Sequence, residues 1–214
     1  MQNIHKRITL IRHGEPEANE EYSAFTLVSG EYIRNFIKRW DGCELSSRNK
    51  IPASLKEIIK SGDSFISSDL KRAKQSFQML GVNGFETNKF LNEAHLPYGI
   101  GKSIKLPFAF WLIVLRILWR FGLSINSESY KEFIDRVKEG TDIIEKNRNA
   151  NHTIVMAHGF INLMIKKELL RRGWKLISKK GGHNFWSCST FGKAQVFTST
   201  CKTVSTECPK NGFA

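Results

Sequence analysis

Two apolar runs in this chain end alike. Ile8-Thr9-Leu10-Ile11 leads into Arg12-His13-Gly14, and Ile154-Val155-Met156-Ala157 leads into His158-Gly159. Short apolar runs of this kind read as buried strands, and ligands of open α/β sheets bind beyond the carboxyl ends of such strands. The second run is followed by the amphipathic stretch Phe160 to Arg172. An α/β fold with a histidine at each of two strand ends is therefore the expectation. Gly14 is expected to leave room for a substrate oxyanion near the backbone, and Arg12 offers a planar fork of donors that matches phosphate.

A third segment answers these two. After the short strand candidate Ser64-Phe65-Ile66, the residues Ser67-Ser68-Asp69-Leu70-Lys71-Arg72-Ala73-Lys74-Gln75-Ser76 open a helix, with Ser68 or Asp69 as N-cap and Arg72 in the first turn. A helix N-terminus already favours anions, so an arginine there does not stabilise the helix; it completes an anion pocket. Farther on, Glu93 follows a strand-like stretch from Phe85 to Leu91 and can face the same sheet edge as a proton donor. Phosphoryl transfer to a nucleophile needs cations on the equatorial oxygens and an acid for the leaving alkoxide. Taken singly, each of these side chains is more often an ordinary structural or surface group. Their ordered joint occurrence points to a site.

With Asn19, the segment Arg12-His13-Gly14-Glu15 resembles the opening motif of the histidine phosphatase superfamily, the phosphoglycerate mutase-like proteins. Ser67 to Ala73 with Gln75 resembles that family's arginine-bearing motif, Glu93 its acid, and Ala157-His158-Gly159 its last motif, in matching order from about residue 7 to residue 191. The resemblance implies a three-layer α/β/α sandwich with a mostly parallel central sheet. It also implies a phosphohistidine on His13, formed and then released by water. By the same resemblance Glu93 carries the proton, helped by a raised pKa, while Arg12, Arg72 and His158 hold the phosphoryl oxygens, His158 as a donor, and Asn19 adds a neutral hydrogen bond. No metal or other cofactor is implied.

Departures from the family pattern select the branch. Trp40 to Ser46 resembles the start of a family segment that Ser47-Arg48-Asn49-Lys50-Ile51-Pro52 then breaks, and Ala94-His95-Leu96-Pro97 lacks the mutase continuation after the acid. A phosphomonoesterase, in the manner of a histidine acid phosphatase, is expected. The alternatives are a mutase-type phosphotransferase and a non-catalytic relative that binds a phospho-ligand or polyanion. His95 either lines the leaving-group side or is structural; His5 and His183 have no partners in sequence.

Composition bounds the rest. The 214 residues, 41% hydrophobic, suffice for one domain with its own core. A lid or capping insertion is expected around residues 94–126 and a polar tail around 198–214. The net charge of +13 favours anionic substrates, phosphorylated small molecules or phosphoproteins. Nucleic-acid binding is not expected, because the lysines and arginines are scattered through helices and no binding motif appears. Residues 106–123 are strongly apolar but broken by Arg116 and Arg120, too short to span a bilayer. This stretch reads as a helix over the sheet, with peripheral membrane contact as its functional alternative. Ser127 is placed to cap a helix running to about Asn147, and Asn184 to Phe197 reads as a final strand or a hairpin around Gly192. Cys43, Cys188, Cys201 and Cys208 lack zinc-site spacing, and the first strand begins directly after the start, so a cytoplasmic protein with reduced thiols is expected.

Overall fold

The computed structural model describes residues 4–18, 23–147 and 150–194. Six strands form the central sheet: β1 (Ile4–Arg12), β3 (Ser64–Ser68), β4 (Glu86–Asn88), β6 (His152–Ala157), β7 (Lys175–Lys180) and β8 (Cys188–Ala194). Their order is β4-β3-β6-β1-β8-β7. The pairs β3–β4, β3–β6 and β1–β6 are parallel, and β8 runs antiparallel to both β1 and β7. The sheet is thus mostly parallel, with an antiparallel hairpin closing one side. Lysines at Lys175, Lys179 and Lys180 mark its outer strand, a common guard against edge pairing.

Alternation along the central strands supplies both faces of the sheet with apolar side chains. Val155 and Ala157 of β6 join Ile8 and Leu10 of β1 under helices α5 (Tyr130–Lys146) and α6 (Gly159–Arg171), through Phe133, Val137, Ile161 and Ile165. Ile154 and Met156 face the other way with Ile11, against Leu55 of α2 (Ala53–Lys60) and Ala73 and Phe77 of α3 (Lys71–Met79). The result is the expected three-layer α/β/α sandwich.

A third apolar cluster stands apart from the sheet. The short strands β2 (Leu27–Ser29) and β5 (Lys105–Pro107) pair antiparallel. They bring α1 (Gly30–Gly42) against α4 (Phe108–Arg120), with Val28, Ile33, Phe36, Ile37, Trp111 and Leu115 buried between them. The expected capping segment therefore shares its core with residues 27–42. Trp119 of α4 reaches the main core.

Element ends differ from the sequence expectation where side chains have other employment. The α5 helix is capped by Ser129 rather than Ser127, because Ser129 has Glu132 three residues on and the two close a capping box. Leu70, not Ser68 or Asp69, is the α3 N-cap, since the Ser68 hydroxyl is bound to Asn92 and His158. The stretch Phe85 to Leu91 is strand only at β4, after which Asn88 accepts from the Phe90 N–H and turns Lys89–Leu91 into a 3₁₀ helix. Gly192 lies inside β8, and the hairpin turns instead through Gly181 and Gly182, both at positive φ. The tail from residue 195, Cys201 and Cys208 lie outside the described residues.

Candidate active site

Register places the site. Arg12 at the end of β1 lies beside Ala157 at the end of β6, so His13 and His158 leave the sheet as neighbours, their rings 4.9 Å apart. Ser67 of β3 pairs with Met156 of β6 and with Thr87 of β4. The segments carrying Arg72 and Glu93 therefore depart from the same carboxyl edge. Asn19 lies outside the described residues.

His13 is buried, and its Nδ1 lies 2.6 Å from the Gly14 carbonyl oxygen. A carbonyl only accepts, so Nδ1 carries the hydrogen and Nε2 is left with a free lone pair. Burial, then the positive charges of Arg72 and Arg12, push the His13 pKa well below the ordinary histidine value, against the opposing hydrogen bond to Gly14. The imidazole is neutral and its unprotonated nitrogen is nucleophilic.

His158 is equally buried, and its pKa too is driven well down, by burial and then by His13, Arg72 and Arg12. Its tautomer follows from a chain of bonds. The Asp69 N–H donates to Asn92 Oδ1 at 3.0 Å, which fixes the amide; the Ser68 hydroxyl, 2.8 Å from that oxygen, must donate to it. Ser68 Oγ then accepts from His158 Nε2 at 2.7 Å. Nδ1 of His158 therefore carries a lone pair and no hydrogen. The expectation that it donates holds only once a proton arrives there.

Among the described residues, seven buried side-chain polar atoms lack a partner, and four of them are Arg12 Nε, Arg72 Nε, Arg72 Nη2 and His158 Nδ1. Such atoms cost about 1–3 kcal/mol each when unmet. The three guanidinium N–H groups among these four are donors that lack an acceptor, as an anion site requires. Arg72 is fully buried, held by Nη1 donating to the Trp40 carbonyl at 2.7 Å. Arg12 donates Nη1 to the His183 carbonyl and lies with its guanidinium carbon 4.3 Å from the Phe185 ring centre.

Glu93 sits at the N-terminus of α6, where its two carboxylate oxygens accept from the Phe160 and Ile161 N–H groups, each at 3.0 Å. It is an acceptor here, and Oε1 also takes the Ala94 N–H at 3.0 Å. Its loop is clamped by Arg136 of α5, which donates to the Phe90 and Asn92 carbonyls while paired with Glu128.

Gly14 serves packing rather than substrate approach. A Cβ there would stand 2.4 Å from Trp186 and 2.6 Å from Asn49. Asn49 binds the Glu15 N–H and carbonyl, both at 2.7 Å, and takes the Trp186 indole N–H at 2.8 Å. The segment that breaks the family pattern thus ties the loop after His13 to the β7–β8 turn.

Beside Arg12 and Glu93 opens a cavity of about 310 Å³, walled by Phe36, Trp40, Phe108, Leu112 and Phe185. His95 lines it too, paired at 3.0 Å with Asp41, a contact that raises the histidine's pKa. Arg116 of α4 also reaches this wall, its Nη1 buried and unpartnered. In sequence Arg116 reads as an interruption in an apolar run; the absence of any other cation between Lys105 and Arg120 is the signal that could have singled it out.

A family profile described as histidine phosphatase superfamily (branch 1) matches residues 8–185. Among curated proteins none matches the sequence significantly. Solved structures do resemble it. The open reading frame Rv3214 product of Mycobacterium tuberculosis has TM-score 0.55 and 15% identity, covering 89% of this chain and 96% of its own. TTHB049 of Thermus thermophilus has TM-score 0.52 and 19% identity over 86% and 92%. A mycobacterial glucosyl-3-phosphoglycerate phosphatase, solved with VO3, has TM-score 0.51 and 16% identity over 89% and 98%.

Proposed function

This chain belongs to the histidine phosphatase superfamily (branch 1), and from that premise we propose that it hydrolyses a phosphomonoester through a covalent phosphohistidine on His13. One observation carries the reading. The Gly14 carbonyl holds the Nδ1 hydrogen of His13, leaving a neutral Nε2 lone pair on a ring that feels the charges of Arg72 and Arg12, whose guanidinium groups keep N–H donors with no protein partner.

In the first half-reaction Nε2 attacks phosphorus in line with the ester oxygen, an N–P bond forms, and the P–O bond to the alcohol breaks. Arg12 Nε and Arg72 Nε and Nη2 bind the phosphoryl oxygens and neutralise the charge that develops on them. Those guanidinium groups take the part that a metal takes elsewhere. His158 Nδ1 accepts the proton of a monoanionic phosphoryl group and then donates back to it. Glu93, swung from one of its helix N–H partners and protonated, delivers a proton to the departing alkoxide. In the second half-reaction Glu93 takes a proton from water, the water oxygen attacks phosphorus, and the N–P bond breaks. Inorganic phosphate leaves and His13 is regenerated neutral.

The walls of the adjacent cavity favour an alcohol with apolar surface. A naphthyl phosphate is expected to have a higher kcat/KM than glycerol phosphate.

The test is hydrolysis of an aryl phosphate, with and without chelator, by wild type and His13→Ala. Wild type is expected to turn over in chelator and to yield an acid-labile, alkali-stable phosphoenzyme. His13→Ala is expected to lose at least about 10⁴-fold in kcat. Equal activity in both proteins would remove His13 as nucleophile, and binding of vanadate without turnover of any ester would favour the non-catalytic relative.

A further inference from the structure

A helix that is apolar all round belongs in an interior. In α4 only Arg116 and Arg120 are polar, yet one side of it faces out. Phe110, Ile113 and Ile117 follow each other at helical spacing with exposures of 49%, 55% and 50%, and Phe121 at the end of the helix is 84% exposed. Trp111, by contrast, turns inward and donates its indole N–H to the Val28 carbonyl. Phe25 and Leu27 extend the exposed surface, since the Thr26 carbonyl accepts from the Phe108 N–H and Leu27 lies opposite Pro107. Contiguous apolar surface of this kind marks an interaction site.

Charge identifies the occupant. No aspartate or glutamate occurs between Glu93 and Glu128, a stretch that contributes Lys102, Lys105, Arg116 and Arg120. Lys102, Lys105 and Arg120 are exposed, and exposed Lys167 of α6 joins Arg120 at a hollow beside Ile117 and Phe121. An apolar stripe flanked by these four cations, with Glu31 of α1 beside Lys102 as a neighbouring acid, complements on balance of charge acyl chains under anionic headgroups. A helix of 13 residues is about 20 Å long, too short to cross a hydrocarbon core of about 30 Å, so it lies in the surface.

We propose that α4 seats the protein on an anionic lipid surface, its Phe110–Phe121 stripe among the acyl chains and its flanking lysines and arginines at the headgroups. The opposite side of the same helix, through Phe108, Leu112 and Arg116, is a wall of the cavity beside Arg12 and Glu93, so docking brings that cavity to the membrane. Docking itself does not depend on the phosphatase reading.

The test is co-sedimentation of the full chain with vesicles of phosphatidylcholine alone and of phosphatidylcholine with phosphatidylglycerol, for wild type and for the double variant Ile113→Glu/Ile117→Glu. The expected result is partitioning onto the anionic vesicles, weakened by salt, and at least tenfold weaker in the double variant. Unchanged thermal melting of the variant shows that the fold is intact; a companion variant, Lys102→Glu/Lys105→Glu, tests the charged rim without touching the stripe. No partitioning onto anionic vesicles, or partitioning that ignores both variants, overturns the proposal. So does a concentration-dependent dimer in lipid-free solution that Ile113→Glu/Ile117→Glu dissolves, because the stripe then belongs to a second copy.

Discussion

A carboxylate that accepts two helix-terminal N–H groups must give up part of that arrangement before it can donate a proton, and this makes Glu93 informative. Glu93→Gln is expected to lower kcat by about 10²–10⁴-fold on an alkyl phosphate, whose alkoxide needs the proton, and by far less on an aryl phosphate with an acidic phenol. Parallel rates on the two esters check this, and equal losses would remove Glu93 from the acid role. Asn49 carries a second prediction. It satisfies the Glu15 amide, the Glu15 carbonyl and the Trp186 indole together, so Asn49→Ala is expected to cost about 2–3 kcal/mol in denaturant unfolding and to slow turnover by loosening the His13 loop. The two residues differ in legibility. Glu93 and the pair Arg12-His13 are singled out in sequence by the ordered occurrence of short motifs along the chain, although each alone reads as an ordinary group. Asn49, Ser68 and Asn92 act on partners many residues away, and nothing local distinguishes them from ordinary turn formers.

Helix ends carry the next level. The N-terminus of α6 receives Glu93, and α5 holds the Glu93 loop through Arg136, whose guanidinium and its partner Glu128 are only 16% and 19% exposed. Arg136→Met leaves the Glu128 carboxylate and the carbonyls of Phe90, Asn92 and Glu93 without this donor. It is expected to cost about 3 kcal/mol of stability and, at temperatures where the variant remains folded, to lower kcat more than it raises KM. Glu128→Gln, which keeps a neutral acceptor for Arg136, is expected to recover much of both. The apolar periodicity of α5 is readable in sequence. Its start differs by two residues from the expectation because Ser127 and Ser129 look alike until Glu132 is matched to one of them. The third apolar cluster is half legible for a different reason: residues 94–126 are expected to form a lid or capping insertion, but the partners that α4 buries against in α1 come from the far side of the first motif.

Across the whole molecule, burying uncharged histidines links stability to pH. His13, His158 and His152 have pKa values lowered by burial, so below about 6.5 the unfolded chain binds protons that the folded one does not. Stability present above that pH is lost as the pH falls. His13 and His158, both fully buried, contribute to that loss until their folded values are reached. His95 works in reverse: Asp41 raises its pKa, so its contribution is present below about 6.5 and fades as the pH rises through the folded value. Denaturant unfolding between pH 7 and pH 5 is expected to show a net fall, shallower in His13→Phe; a flat profile would mean that the two buried rings take up protons as readily in the folded chain as in the unfolded one. The linear sequence by itself determined the strand-histidine-glycine units, the arginine at a helix start and the α/β alternation, because these depend on spacing within a few residues. Only the tertiary structure decided that β1 and β6 lie side by side, that His13 and His158 hold opposite tautomers and that Glu93 accepts helix N–H groups. It also decided which face of α4 is left uncovered, because each of these outcomes depends on hydrogen-bond partners and packing surfaces brought together from distant parts of the chain.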